Sequence, residues 1–381
     1  MTYIILALFC LIPFSDLFFM GKLDMWLSHG AFFQLGILAC FSYSLYKPSI
    51  KPTIFKRNLI NKPLASLFLW LGLTTAFWWN YTLIQSKTYN FLVFMPLFNF
   101  MCFVLLYKFI IEYLDKKSIQ RILKWFAKVI GIIAVICILQ LLDLDQFHKH
   151  FATTEATKYK DVLVGTIGNP MHLAGYLSIC LPVLYYTNTI YSTISIVLLW
   201  FIIFMTGSFS GLIGALLVTI FYNCFHQIRF KYERLLFYLF CGISALTVYL
   251  KGWTWLTTSL LNPHGRFQFW KEIFPLFKKF PITGTGLGIM IARNGLWKHV
   301  HNEFYQIAIT VGIIGLGIVI WGCLEYFKRF KRCKQDKLSV CIASMFVAFL
   351  INCFFGYPCH NYLLGMLGLF SYATMHCLED I

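Results

Sequence analysis

YSTISIVLLWFIIFMTGSFSGLIGALLVTIFYNCF, residues 191–225, holds no Asp, Glu, Lys or Arg. At about 35 residues it is far longer than the ~20 a helix needs to cross a bilayer, so it reads as two crossings with a break near Gly207. In hydrocarbon every backbone N–H and C=O must find its partner inside the protein, which leaves helices or a closed barrel. Long unbroken apolar runs, rather than short alternating ones, choose helices.

The rest of the chain agrees. Of 381 residues, 59% are hydrophobic and 12% charged, and the mean hydropathy is +0.71, a balance that excludes an ordinary water-soluble globule. Apolar runs predict helices near 3–20, 25–46, 64–84, 89–111, 122–142, 169–188, 191–206, 208–225, 235–251, 303–324, 338–356 and 360–378. The expected fold is therefore all-α: one polytopic membrane domain over 1–381 with about twelve transmembrane helices. The first run lacks a basic leader and a small-residue cleavage site, so it is expected to be a retained helix. The 13 cysteines show no C-x-x-C pairing, and most, such as Cys10, Cys40, Cys102, Cys137 and Cys180, lie in apolar runs as small hydrophobes. No disulfide framework, metal site, cofactor or nucleic-acid partner is expected.

Short cytoplasmic loops retain Lys and Arg. With the N-terminus inside, the inner loops hold Lys47, Lys51, Lys56, Arg57, Lys62, then Lys108, Lys116, Lys117, Arg121, Lys124, Lys128, then Arg229, Lys231, Arg234, and finally Lys328, Arg329, Lys331, Arg332, Lys334 and Lys337. Both termini are expected to be cytoplasmic. Two polar segments then lie outside: a short loop at 143–168, and a longer loop at 252–302 between the ninth and tenth helices.

The longer loop carries Arg266, Lys271, Lys278, Lys279, Arg293 and Lys298 against the single acid Glu272. Long translocated loops can escape the charge rule. The excess also fits an anionic partner, and a lipid-linked diphosphate is one that guanidinium groups bind through paired donors. Phe267, Trp270, Phe274 and Phe277 recur at helical spacing with Arg266, Lys271 and Lys278 between them, which predicts an amphipathic helix in the interface, kinked or ended at Pro275. Lys278 and Lys279 are candidate ligand groups or solvated charges. The string GTGLG offers Gly284 and Gly286 as positions where amides can turn toward an anion, although the spacing matches neither a dinucleotide fingerprint nor a P-loop. At the loop's end His301, Asn302 and Glu303 cluster. Imidazole titrates nearest working pH, so His301 is either a proton acceptor for an attacking hydroxyl or a structural polar residue. Asn302 and Glu303 are substrate-binding candidates beside it, or else a helix N-cap and a favourable first-turn acid.

Taken in order, G-R-x-x-x-W at Gly265–Trp270, P-I-T-G-T-G-L-G at Pro281–Gly288, H-N-E-F from His301 and V-G-I-I-G-L-G from Val311 resemble the O-antigen ligase and polymerase family. Upstream, G-T-I-G-N-P-M-H-L-A-G-Y-L from Gly165 is similar to an element of the polymerase branch and implies Asn169 and His172 as substrate-binding candidates. The resemblance covers roughly residues 165–325. It implies a periplasm-facing glycosyltransferase of the bacterial inner membrane that takes glycan from an undecaprenyl diphosphate carrier to another glycan or to lipid A core. Arg266 matches the loop arginine that engages the diphosphate, and His301 the proposed base. The family's further arginine, in a Ser-Arg-Gly-like string, is replaced here by Phe209, which leaves Arg293, Lys158 or Lys160 to supply a second positive charge.

The expected chemistry is inverting and metal-independent, since diphosphate is a good leaving group and no D-x-D or H-E-x-x-H string is present. Trp253, Trp255, Trp297 and Tyr305 can stack on sugar faces or anchor at the interface. The alternative is a transporter or flippase for lipid-linked or anionic glycans, a class that usually carries midplane charges and repeat symmetry.

Overall fold

A helix buried in lipid is held by side-chain packing and caps, because its backbone satisfies itself only between its ends. The computed structural model describes residues 1–14, 25–46, 62–67, 69–74, 94–142, 144, 163–226, 266–286, 300–356 and 358–379. Among them every regular element is helical: α1 (Thr2–Leu11), α2 (Met25–Tyr46), α3 (Phe94–Tyr113), α4 (Lys116–Leu141), α5 (Pro170–Thr187), α6 (Ile190–Met205), α7 (Phe209–Phe225), α8 (Arg266–Lys279), α9 (Glu303–Cys333), α10 (Lys337–Phe355) and α11 (Tyr362–Glu379). Tight 3-10 turns occupy Ile12–Phe14 and Pro358–His360, and residues 62–67 and 69–74 are also helical. The expected helix at 235–251 and most of the 143–168 segment lie outside the described residues.

By length and composition α4, α9 and α10 are long and apolar enough to cross a membrane, and α6, α7 and α11 hold shorter apolar stretches. Leu38, Leu45, Ile190, Ile194, Ile220, Ile320 and Leu324 are exposed on the outside of the bundle, an apolar surface suited to lipid and costly in water.

The break in the opening stretch has a local cause. α6 ends at Met205, Gly207 takes the left-handed φ of 66°, and α7 starts behind Ser208, whose hydroxyl accepts from Gly211 N. Thr189 caps α6 and Asn169 caps α5, where Pro170 occupies the first turn without losing an intrahelical bond. α9 differs from its predicted 303–324: it runs on to Cys333, carrying Lys331 and Arg332 into a last turn where the helix dipole favours positive charge.

α5 is the centre. Every residue from His172 to Tyr185 is buried, and α4, α6, α7 and α10 pack around it. Small residues permit the close approach: a Cβ on Gly211 would lie 2.3 Å from Ala174 Cβ, and one on Gly175 would lie 2.7 Å from Asn352 Oδ1. Asn352 Nδ2 donates to Ser178 Oγ at 3.1 Å and to Ala348 O at 2.8 Å, tying α10 to α5. Replacing Asn352 with leucine is expected to cost about 1 kcal/mol, the scale of an interhelical bond in a membrane bundle, read as a lowered unfolding midpoint in detergent. An unchanged midpoint would show that the bond contributes nothing.

Candidate functional site

The residues of interest meet at one end of the bundle. At that end lie the C-terminus of α10 and the N-termini of α5, α7, α9 and α11. Phe209 at the start of α7 meets Phe355 edge-on at 6.0 Å, Phe304 of α9 meets Phe354 at 4.6 Å, and Cys359 N, in the turn before α11, donates to Glu303 Oε2 at 3.1 Å. Asn169 and His172 open α5 one turn beyond the Gly175–Asn352 contact, so they belong to the same end. Asn169 Oδ1 accepts from Met171 N and His172 N, which makes it a cap, and His172 is buried.

His301 is left-handed, with φ 57°; Asn188 is the other non-glycine residue of positive φ among those described. The conformation costs a β-carbon-bearing residue about 1–3 kcal/mol, so its surroundings must hold it. Asn302 caps α9, accepting from Tyr305 N at 2.9 Å, and its amide donates to Phe354 O at 3.0 Å. Glu303 is 2% exposed. Of the two readings open for Asn302 and Glu303, the cap and first-turn acid are what the geometry displays, and each also ties the site to the α10–α11 connection.

α8 brings the loop arginine to this place. Its inward side chains, Trp270, Ile273, Leu276 and Phe277, pack with Val300, Tyr305 and Ile309. Trp270 Nε1 donates to Val300 O at 2.8 Å, and Tyr305 Oη donates to Trp270 O at 3.1 Å. Arg266 is the first residue of α8, one turn from Trp270, hence about 6 Å along the axis from a residue bonded to His301's neighbour. Of the two outcomes expected at Pro275, a kink or an end to the first part of the helix, the end does not occur: α8 continues to Lys279 with Pro275 inside it. Trp270 and Phe277 pack against Val300 and Ile309, while Phe274, stacked on Phe277 at 6.1 Å, is exposed at the edge of that face. Lys278 and Lys279 are exposed in the last turn, where their ammonium groups lie 5.2 Å from the Phe274 ring centre and 5.5 Å from that of Phe280. They are about 18 Å along the helix from Arg266 and are not gathered with it.

The glycine string does something else than expected. Gly312, at φ 70°, breaks α9, and a broken helix frees backbone groups that must be satisfied. Residues 281–286 answer most of them: Thr285 N donates to Ile309 O and Gly286 N to Thr310 O, both at 2.8 Å, and Ile313 N donates to Pro281 O at 2.8 Å. Trp70 Nε1 takes Val311 O at 2.8 Å. Gly284 N donates to Phe280 O. The amides of Gly284 and Gly286 are thus engaged by carbonyls rather than directed at an anion, and glycine is required because the two backbones touch.

Arg293, Lys158 and Lys160 lie outside the described residues. Phe209 stands where the resemblance expects an arginine and makes its ring contact with Phe355 instead. Sequence reasoning gave no part in the site to Trp70, Gln306 or the turn at 358–361. Polar residues within Pro358–Asn361 were a faint signal for the last; nothing local marked the others.

No curated protein matches the chain. Residues 194–320 match the family model described as O-antigen ligase, a segment that starts in α6, ends in α9 and contains α8, the docked turn and His301. Over this segment, about a third of the chain and including Arg266, Arg293 and His301, the protein is similar to the O-antigen ligase family, which supports the O-antigen ligase/polymerase resemblance.

Proposed function

We propose that this protein is an inverting, metal-independent glycosyltransferase of the bacterial inner membrane. It transfers or polymerises glycan from an undecaprenyl diphosphate carrier onto a glycan or lipid A core acceptor. Both termini are cytoplasmic, and the 143–168 and 252–302 loops face the periplasm. In the reaction His301 accepts the proton of the acceptor hydroxyl while that oxygen attacks the anomeric carbon. The bond to the diphosphate breaks, and Arg266, with Arg293, stabilises the charge on the departing group. Asn302 and Glu303 orient the base through their backbone ties, Asn169 and His172 form the adjoining wall, and Lys278 and Lys279 meet the headgroup layer beside the exposed Phe274.

The observation that supports this most is the Trp270–Val300 bond, which links the helix opened by Arg266 to the peptide preceding His301, so that one substrate can meet both. Purified protein in proteoliposomes, given only lipid-linked donor and acceptor, is expected to form the new glycosidic bond. Movement of the donor across the bilayer without transfer would overturn the reading. In cells, deletion separates the two branches: loss of long chains with single units retained marks a polymerase, and loss of every attached unit marks a ligase.

A further inference from the structure

We propose that Trp270 and Gln306 are positioning residues that hold His301 in its working orientation by fixing the peptide that precedes it; the inference rests on the glycan-transfer reading above. Both backbone groups of Val300 are bonded to side chains. Its carbonyl accepts from the Trp270 indole at 2.8 Å, and its amide donates to Gln306 Oε1 at 2.9 Å. The Val300 carbonyl and the His301 amide share one rigid peptide plane, so the indole anchors the plane about which the φ of His301 turns. That φ is the left-handed 57°, which persists only where neighbours over-determine it.

Water offers no substitute partner, because Val300 is fully buried among Ile273 and Ile309 and Gln306 is 4% exposed. Losing either side chain therefore strands a buried backbone group, and the peptide must rotate to recover a bond. On the other side of His301, Asn302 is held by Tyr305 N and Phe354 O. Tyr305 Oη closes the circuit by donating to Trp270 O, so α8 and α9 grip the histidine's backbone from both directions. Neither helix needs this arrangement in order to form: leucine at position 306 would fill a buried apolar site as well as glutamine, and phenylalanine would pack at position 270. The peptide before His301 is what the two polar atoms serve.

Displacing a base by about 1 Å costs on the order of 10²-fold in rate. The test compares Trp270→Phe, which keeps the ring beside Tyr305 but lacks the donor, and Gln306→Met, which keeps the length but lacks the acceptor, with the parent protein and His301→Ala in proteoliposomes. Rates are taken per folded molecule across a pH series. The expected result is a kcat lower by about 10- to 100-fold in both variants, donor KM within about threefold, and a flattened acidic limb of the pH–rate profile. Parent-like kcat in both variants with His301→Ala inactive overturns the positioning role and leaves the reaction standing, as does a loss of folded protein with unchanged kcat. An active His301→Ala overturns the reaction and this inference together.

Discussion

His301→Ala is expected to lower glycan transfer by about 10²–10⁴-fold while the protein still inserts and accumulates, because the general base is removed and the fold around it is not. The side chain is half-buried at a turn whose backbone is held by Trp270, Gln306 and Asn302, none of which needs the imidazole. Alanine also tolerates the left-handed turn no worse than histidine by more than about 1 kcal/mol. Arg266→Ala is expected to cost about 10²–10³-fold, the scale of losing one donor to a developing anion, and Arg266→Lys is expected to restore only part, since an ammonium cannot bind two phosphate oxygens in parallel. Surface glycan in a deletion strain carrying each variant, with membrane abundance measured alongside, reads the outcome. Normal glycan from both alanine variants would end the proposed chemistry.

The second large effect is structural. Gly312→Ala places a Cβ 1.9 Å from Ile282 O, on a residue already at φ 70°, and neither backbone can yield without breaking the Thr285, Gly286 and Ile313 bonds. A destabilisation on the order of 3 kcal/mol is expected, combining left-handed strain with overpacking. Gly284→Ala meets Thr310 C at 2.4 Å with φ 68° and is expected to behave alike. Gly317, five residues farther along α9, faces open space, so Gly317→Ala is the matched control and is expected to be neutral or slightly stabilising. Unfolding midpoints in detergent decide it: a Gly312→Ala protein as stable as the control would refute the docking of residues 281–286 as the element that holds the break.

These two glycines also mark where reading along the chain stops short. Gly207, Asn169, Asn302 and Glu303 act within a few residues of themselves, as a left-handed break, two caps and a first-turn acid, and their local roles can be seen in the string. Gly284 and Gly312 are ordinary glycines until they are brought together across 28 positions. Pro275 in sequence allows either a kink or an end, and α8 continues through it because Ile273 and Phe277 have partners in Val300 and Ile309 that reward the extra turn. Phe274 and Phe277 stack at 6.1 Å, yet Phe277 reaches the Val300–Ile309 cluster while Phe274 stays exposed at its edge.

From its residues alone this chain is committed to lipid, to helices and to a polar loop that combines guanidinium and imidazole, because hydrophobic run length, cap chemistry and charge clustering act over a few residues. The tertiary structure alone decides that the loop's glycines repair a broken helix, that Trp270 and Gln306 grip the peptide before His301, and that Glu303 fastens the α10–α11 turn. Apart from the Gln306–Val300 bond, which spans six residues, these are hydrogen bonds between groups far apart in sequence, and their existence depends on which surfaces the whole bundle buries together.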